Sequence, residues 1–137
     1  MRVLKSLTIS IALALPTVAA GQNTTVSSSR FSGAADFQAY CASCHGPAAK
    51  GDGVIASSLV KRPPDLTRLA QRHGDVFPEE RAFKMIEGRS PGTSHRAPDM
   101  PVWGDVFAKA TESAGPEAAA ARITALVKYL EMIQEKR

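Results

Sequence analysis

Both cysteines of this 137-residue chain fall within five consecutive residues, Cys41-Ala42-Ser43-Cys44-His45. No other feature narrows the possible folds as much. Two thiols three residues apart on a helical turn face the same way, so both can bond to one rigid partner, and the histidine that follows is held beneath that partner's centre. This is the attachment signature of c-type haem: the sulfurs add to the two vinyl groups of one porphyrin edge, and the imidazole is offered to the iron as the proximal ligand. Three other uses of the pair fit less well. A zinc site wants two more ligands at close spacing, whereas His73 and His95 are isolated and far apart. A thioredoxin-like redox pair wants a βαβ context that is missing. A structural disulfide would close a very small loop and leave His45 unexplained.

The start of the chain reads as an address. Met1–Ala20 has a positive beginning in Arg2 and Lys5, an apolar stretch over Leu7–Leu15, a break at Pro16, and small residues at Val18-Ala19-Ala20 before Gly21. That is the pattern of a secretory signal cleaved on export. The apolar stretch falls short of the roughly 20 residues that span a bilayer, and no integral membrane span is expected in the mature chain. No cysteine lies near the cut, which argues against a lipid anchor. Arg2 and Lys5 are the leader's only charged residues, so its loss lowers the formal charge from +4 to +2. A balance that close to neutral gives no reason to expect nucleic-acid or membrane-surface binding.

Beyond the leader, residues 21–32 form a polar, Ser- and Thr-rich lead-in, and 33–137 form one domain. Gly33–Cys44 is expected to be helical, with Phe37 and Tyr40 on one face. Gly46–Val60 mixes Gly, Ala, Pro and Ser with few large apolar residues and should be loop. The prolines of Arg62-Pro63-Pro64-Asp65 break the chain again, before a short helix over Thr67–Arg72. Pro78–Glu87 carries helix punctuation: Pro78 for the first turn, Glu79 and Glu80 for its positive end, Gly88 for the stop. Ser90–Pro101 reads as loop. Pro116–Gln134 reads as helix, with a stripe of Leu126, Tyr129, Leu130 and Ile133. The expectation is an all-α domain with long loops and neither repeat nor second domain. Such loops need something at their centre to bury against, and the cysteine motif supplies it.

With haem at the centre, the sequence resembles the small class I cytochrome c family from about Gly33 to Ile133. Gly33-Ala34-Ala35-Asp36-Phe37 is similar to that family's opening helix, and Leu126-Val127-Lys128-Tyr129-Leu130 to its closing one. The resemblance implies the cytochrome c fold, with Gly33, Phe37, Leu126 and Tyr129 meeting where the two helices cross. Pro63-Pro64-Asp65-Leu66 resembles the family's proximal proline loop, which implies that the Pro64 carbonyl accepts from His45 Nδ1 and that Leu66 lies on the haem face. The alternative is that the prolines merely turn the chain. Asp99-Met100-Pro101-Val102-Trp103-Gly104 resembles the family's methionine ligand loop, which makes Met100 the candidate distal ligand. His95 is the competitor. Met85 and Met132 read as helix fillers. Trp103, Arg62 and Arg89 are candidate partners of the propionates.

The implied activity is one-electron transfer by a periplasmic carrier, not an enzyme, with one covalent haem c held between His45 and Met100. Its partners would be redox proteins (a dehydrogenase, reductase or oxidase), met by a monomer through the exposed haem edge. Two other readings stand beside it. One is a dedicated electron-transfer subunit of a periplasmic dehydrogenase or reductase. The other is a ligand-binding haem protein or small peroxidase with an open iron.

Overall fold

The computed structural model describes residues 31–88, 100–110 and 115–136. The leader, most of the lead-in, Arg89, His95 and nearly all of the 90–101 loop lie outside the described residues.

Helix α1 spans 33–45 and is built from three stretches without a break: α-helical Gly33–Asp36, π-helical Phe37–Cys41 and α-helical Ala42–His45. Ser32 starts it, its side-chain oxygen accepting the Ala35 N–H at 3.2 Å and so satisfying one of the donors that a helix start leaves over. In the π segment the Ala42 N–H reaches back to the Phe37 carbonyl. Helix α2 is Glu79–Glu87, entered from Pro78, which sits just outside the first turn; it ends at Gly88, whose φ of 76° closes the helix through an N–H to the Lys84 carbonyl. Helix α3 is Trp103–Ala110 and α4 is Gly115–Met132. The short helix expected over Thr67–Arg72 is instead two 3₁₀ turns, Leu66–Arg68 and Gln71–His73. Asp65 explains the first turn: its carboxylate accepts from the Thr67 N–H at 2.9 Å and the Thr67 hydroxyl at 2.6 Å, tightening the chain before an α-helix can form. There is no strand among the described residues, so the all-α expectation holds. None of the described helices is long and apolar enough to cross a membrane.

Helix α4 is the organiser, packing on α1, α2 and α3. Its Ile123, Leu126 and Val127 are each about as buried as Phe37 of α1 and Phe107 of α3. The α1–α4 crossing is the one the sequence suggests. A Cβ on Gly33 would lie 2.0 Å from the Ala125 carbonyl oxygen and 2.9 Å from the Tyr129 Cβ, so the helices approach this closely only with glycine there. One turn on, the Phe37 and Tyr129 rings meet with centroids 5.3 Å apart.

The same crossing holds a feature with no sequence signal. Arg122 of α4 forks onto Asp36 of α1, Nε at 2.8 Å from one carboxylate oxygen and a terminal nitrogen at 2.6 Å from the other. The two side chains are only 14% and 11% exposed. The guanidinium also bonds the Tyr40 hydroxyl at 3.3 Å and lies 4.9 Å and 4.6 Å from the ring centroids of Tyr40 and Phe107. A planar cation between aromatic rings adds attraction to the ion pair.

Candidate functional site

A helix leaves its last carbonyls without intrahelical partners, and here a loop supplies them. The carbonyls of Ala42, Ser43, Cys44 and His45 accept the N–H groups of Gly46, Ile55, Gly53 and Gly51, at 2.9, 3.1, 3.1 and 2.8 Å. The Cys-x-x-Cys-His turn is therefore clamped by residues 46–55. The glycines make this possible. A Cβ on Gly53 would stand 2.2 Å from the Ser43 carbonyl oxygen, and one on Gly51 2.2 Å from the Pro63 carbonyl oxygen. Gly51 thereby seats the Pro63-Pro64 pair against the attachment turn, and the Leu66 N–H adds a 2.8 Å bond to the Ala49 carbonyl.

The C-terminal residues lock this arrangement from outside. Gln134 donates to the Leu66 carbonyl at 2.8 Å and accepts from the Ala70 N–H at 2.9 Å. The Glu135 N–H bonds the Thr67 carbonyl at 2.8 Å, and its carboxylate takes Lys50 at 2.9 Å and Arg68 at 3.2 Å.

Between α1, the proline segment, α2, the start of α3 and α4 lies a cavity of about 340 Å³. Of the residues singled out in the sequence, Cys41, Cys44, His45, Arg62, Pro64, Leu66, Met100 and Trp103 line it. Phe37 and Tyr40 continue the α1 wall, and Leu126 and Leu130 form the floor contributed by α4. Two placements differ from expectation. Met85 is no filler: with Pro78, Arg81, Ala82 and Ile86 it forms the stripe by which α2 faces the cavity, so two thioethers line it. Met132, in contrast, is 76% exposed. Secondly, His45 Nδ1 is buried but makes no hydrogen bond to the Pro64 carbonyl. The proline pair is seated on Gly51 through Pro63, and Pro64 itself is exposed at the cavity edge.

The lining has a definite chemical character. It is apolar except at the mouth, where Lys61, Arg62, His73 and Arg81 are exposed and, among the described residues, no carboxylate takes part. Arg62 is steadied by the Gly51 carbonyl at 3.4 Å. Trp103 is held by Tyr40 and Phe107, with ring centroids 5.7 and 5.4 Å away. Burial, and after it the neighbouring Asp36 carboxylate, pushes the Cys41 thiol up to about 12. Among the described residues no three His, Cys, Asp or Glu side chains converge as a metal site would need. Two thiols and an imidazole on one wall, thioethers in the lining, an apolar interior and a basic mouth fit a flat apolar macrocycle with a carboxylate edge. Haem has that description, and the residues present fit it.

The signals that sequence reading missed were Gly51, Gly53, Met85 and the Gln134–Glu135 strap. Only Met85 had a legible one, since 78, 81, 82, 85 and 86 repeat at helical spacing.

A family model described as Cytochrome c matches residues 32–134. No curated protein and no solved structure matches the chain. The match begins at Ser32, which caps α1, and ends at Gln134, which ties down Leu66, so it spans every described element that walls the cavity.

Proposed function

The chain belongs to the cytochrome c family, whose members carry covalent haem c and transfer electrons, and from that premise we propose a periplasmic one-electron carrier with a single haem c. The observation that carries the reading is the meeting of Cys41, Cys44, His45 and Met100 on one cavity. Haem c supplies a ferric–ferrous couple when bound. Cys41 and Cys44 would hold it by thioether bonds, His45 would offer an imidazole nitrogen to the iron, and Met100 would offer a soft thioether sulfur. A methionine–histidine pair favours the ferrous state more than two histidines would, which suits a carrier of relatively high potential.

The remaining residues keep the site dry and oriented. Clamping the attachment turn through Gly51 and Gly53 fixes where the His45 ring stands. Pro101 restricts the backbone beside Met100, and α3 begins two residues later, anchoring that segment through Trp103. Arg62 and Trp103 are the propionate partners, with Lys61 and Arg81 beside them at the mouth. One electron enters from a donor protein and leaves to an acceptor, with no substrate bond made or broken. Both docking events use the basic mouth and suit short-lived contacts burying less than about 1,200 Å². The protein works as a monomer, exported by Met1–Ala20 and shortened by its loss.

Visible spectra of the haem-loaded protein, with and without carbon monoxide, test this reading. A low-spin spectrum with the ferric thioether charge-transfer band, unmoved by carbon monoxide after reduction, is expected. Met100→Ala removes the band and opens the iron to carbon monoxide, while Met85→Ala leaves both unchanged. Carbon monoxide binding by the unaltered protein would overturn the carrier reading. Loss of the band in Met85→Ala in place of Met100→Ala would reassign the ligand.

A further inference from the structure

We propose that the buried Asp36–Arg122 ion pair is an electrostatic tuning device for the cofactor: two opposite charges set against the attachment wall, whose balance fixes the reduction potential. The inference rests on the haem reading above and adds a role for residues that touch neither sulfur nor ligand.

Position makes the case. Asp36 lies on α1, the helix that carries both attachment cysteines and His45, and its charge reaches the Cys41 sulfur, where it adds to the effect of burial. Arg122 comes from a different helix, eighty-six residues away in sequence. Its guanidinium lies against Tyr40, which lines the cavity and whose ring abuts Trp103 on the same wall. The rings of Tyr40 and Phe107 flank the guanidinium, and Tyr40 is itself part of the cavity wall. With side chains only 11% and 14% exposed, water and salt screen these charges weakly.

Burial of an ion pair is an inefficient way to join two helices. Desolvating both charges offsets most of their attraction, and apolar residues of similar volume commonly serve as well or better. Gly33 and the Phe37–Tyr129 contact already fix this crossing. What the pair adds is a matched set of charges where a cofactor's charge changes by one unit on each cycle. The carboxylate favours the oxidised, more positive iron, and the guanidinium opposes it. Removing either leaves the other to act alone.

The signs provide the test, made on haem-loaded protein by redox titration. Asp36→Asn, which leaves the cation alone, moves the midpoint potential upward. Arg122→Lys keeps the charge and leaves the potential near that of the parent, although the fork and the stacking are lost and the denaturation midpoint falls. The double variant Asp36→Asn/Arg122→Met carries neither charge and returns the potential towards the parent's value while remaining less stable. A merely structural staple predicts another pattern: potential shifts that follow lost stability, the same in sign for every variant and largest in the double one. That outcome, or an unmoved potential in Asp36→Asn, would overturn the proposal. Should Asp36→Asn not accumulate with haem, the single Arg122→Met gives the mirror test, a downward shift with the carboxylate ionised. The haem reading fails separately, by the absence of a low-spin thioether spectrum in the parent, before any variant is compared.

Discussion

At the scale of single residues, the site depends on what some positions lack. Gly53 and Gly74 illustrate two different reasons for glycine. A Cβ on Gly53 would stand 2.2 Å from one backbone oxygen and 2.5 Å from the Cys44 carbonyl carbon, neither of which can move without opening the attachment turn. Gly74 has φ +71° and open space around it, so a side chain there meets only backbone strain. Gly53→Ala is therefore expected to destabilise the haem-loaded protein by about 3 kcal/mol, as overpacking against a rigid neighbour does. Gly74→Ala should cost about 1 kcal/mol, the penalty for a left-handed L-residue. Denaturation midpoints followed in the visible absorption band measure both, and equal losses would refute the distinction. The same contrast shows what was legible at this scale. Cys41, Cys44, His45 and Met100-Pro101 announce themselves because their chemistry depends on short covalent spacing. Gly51 and Gly53 do not, because their role depends on backbone atoms from Ser43, Cys44 and Pro63, brought to them only by the finished loop.

At the scale of elements, the helices with long apolar stripes were legible and the others were not. Helix α4 was found to within a few residues, because leucine and alanine at helical spacing over five turns leave little choice. Helix α3 was missed. Trp103–Ala110 is eight residues long with glycine second, too short and too poor in helix formers to stand out; it forms because Phe107 buries completely against its neighbours. The C-terminal strap is an element of another kind, made by polar contacts across more than sixty residues of sequence. The ionic part of it is pH-sensitive. Hydrogen bonds from Lys50 and Arg68 hold the Glu135 carboxyl below its ordinary value of 4.5. Asp65 beside it is also lowered: burial acts to raise it, but the Thr67 hydroxyl and N–H, with Arg68 and Lys50, prevail. A carboxylate depressed by folding stabilises fully above its unfolded pKa and loses that contribution as pH falls through the folded one. Stability should therefore decline as pH drops below 4.5, and Glu135→Gln should make the decline shallower while lowering stability slightly at neutral pH. Denaturation midpoints over that pH range give the comparison, and an unchanged slope would show that the strap's charges contribute nothing.

At the scale of the whole molecule, the apolar surfaces of α1, α2 and α4 converge on a cavity and not only on one another. A cavity of 340 Å³, held open and dry, would cost on the order of 8 kcal/mol at the penalty seen for residual cavities. That is comparable with the entire stability of an ordinary domain, roughly 5–15 kcal/mol. Neither the size nor the position of this space can be read from the sequence, although the shortage of apolar residues in the long loops implied that something had to fill it. Folding and cofactor attachment should therefore be linked, because a group that binds the folded state alone contributes its binding energy to stability. The double variant Cys41→Ser/Cys44→Ser tests the link, since without covalent attachment the haem can be removed completely. The haem-free variant should keep much of its far-ultraviolet helical signal, lose its near-ultraviolet signal, bind a hydrophobic dye and melt without a sharp transition, which are the marks of a compact chain lacking fixed packing. Helix α4 is expected to retain structure longest, since its propensity is intrinsic, whereas the 46–55 clamp and the proline segment, which have few apolar contacts of their own, should be lost first. A sharp, cooperative transition with native near-ultraviolet intensity would mean that Phe37, Phe107, Ile123, Leu126 and Val127 suffice to hold the fold, and that the cavity is a consequence of the architecture and not the reason for it.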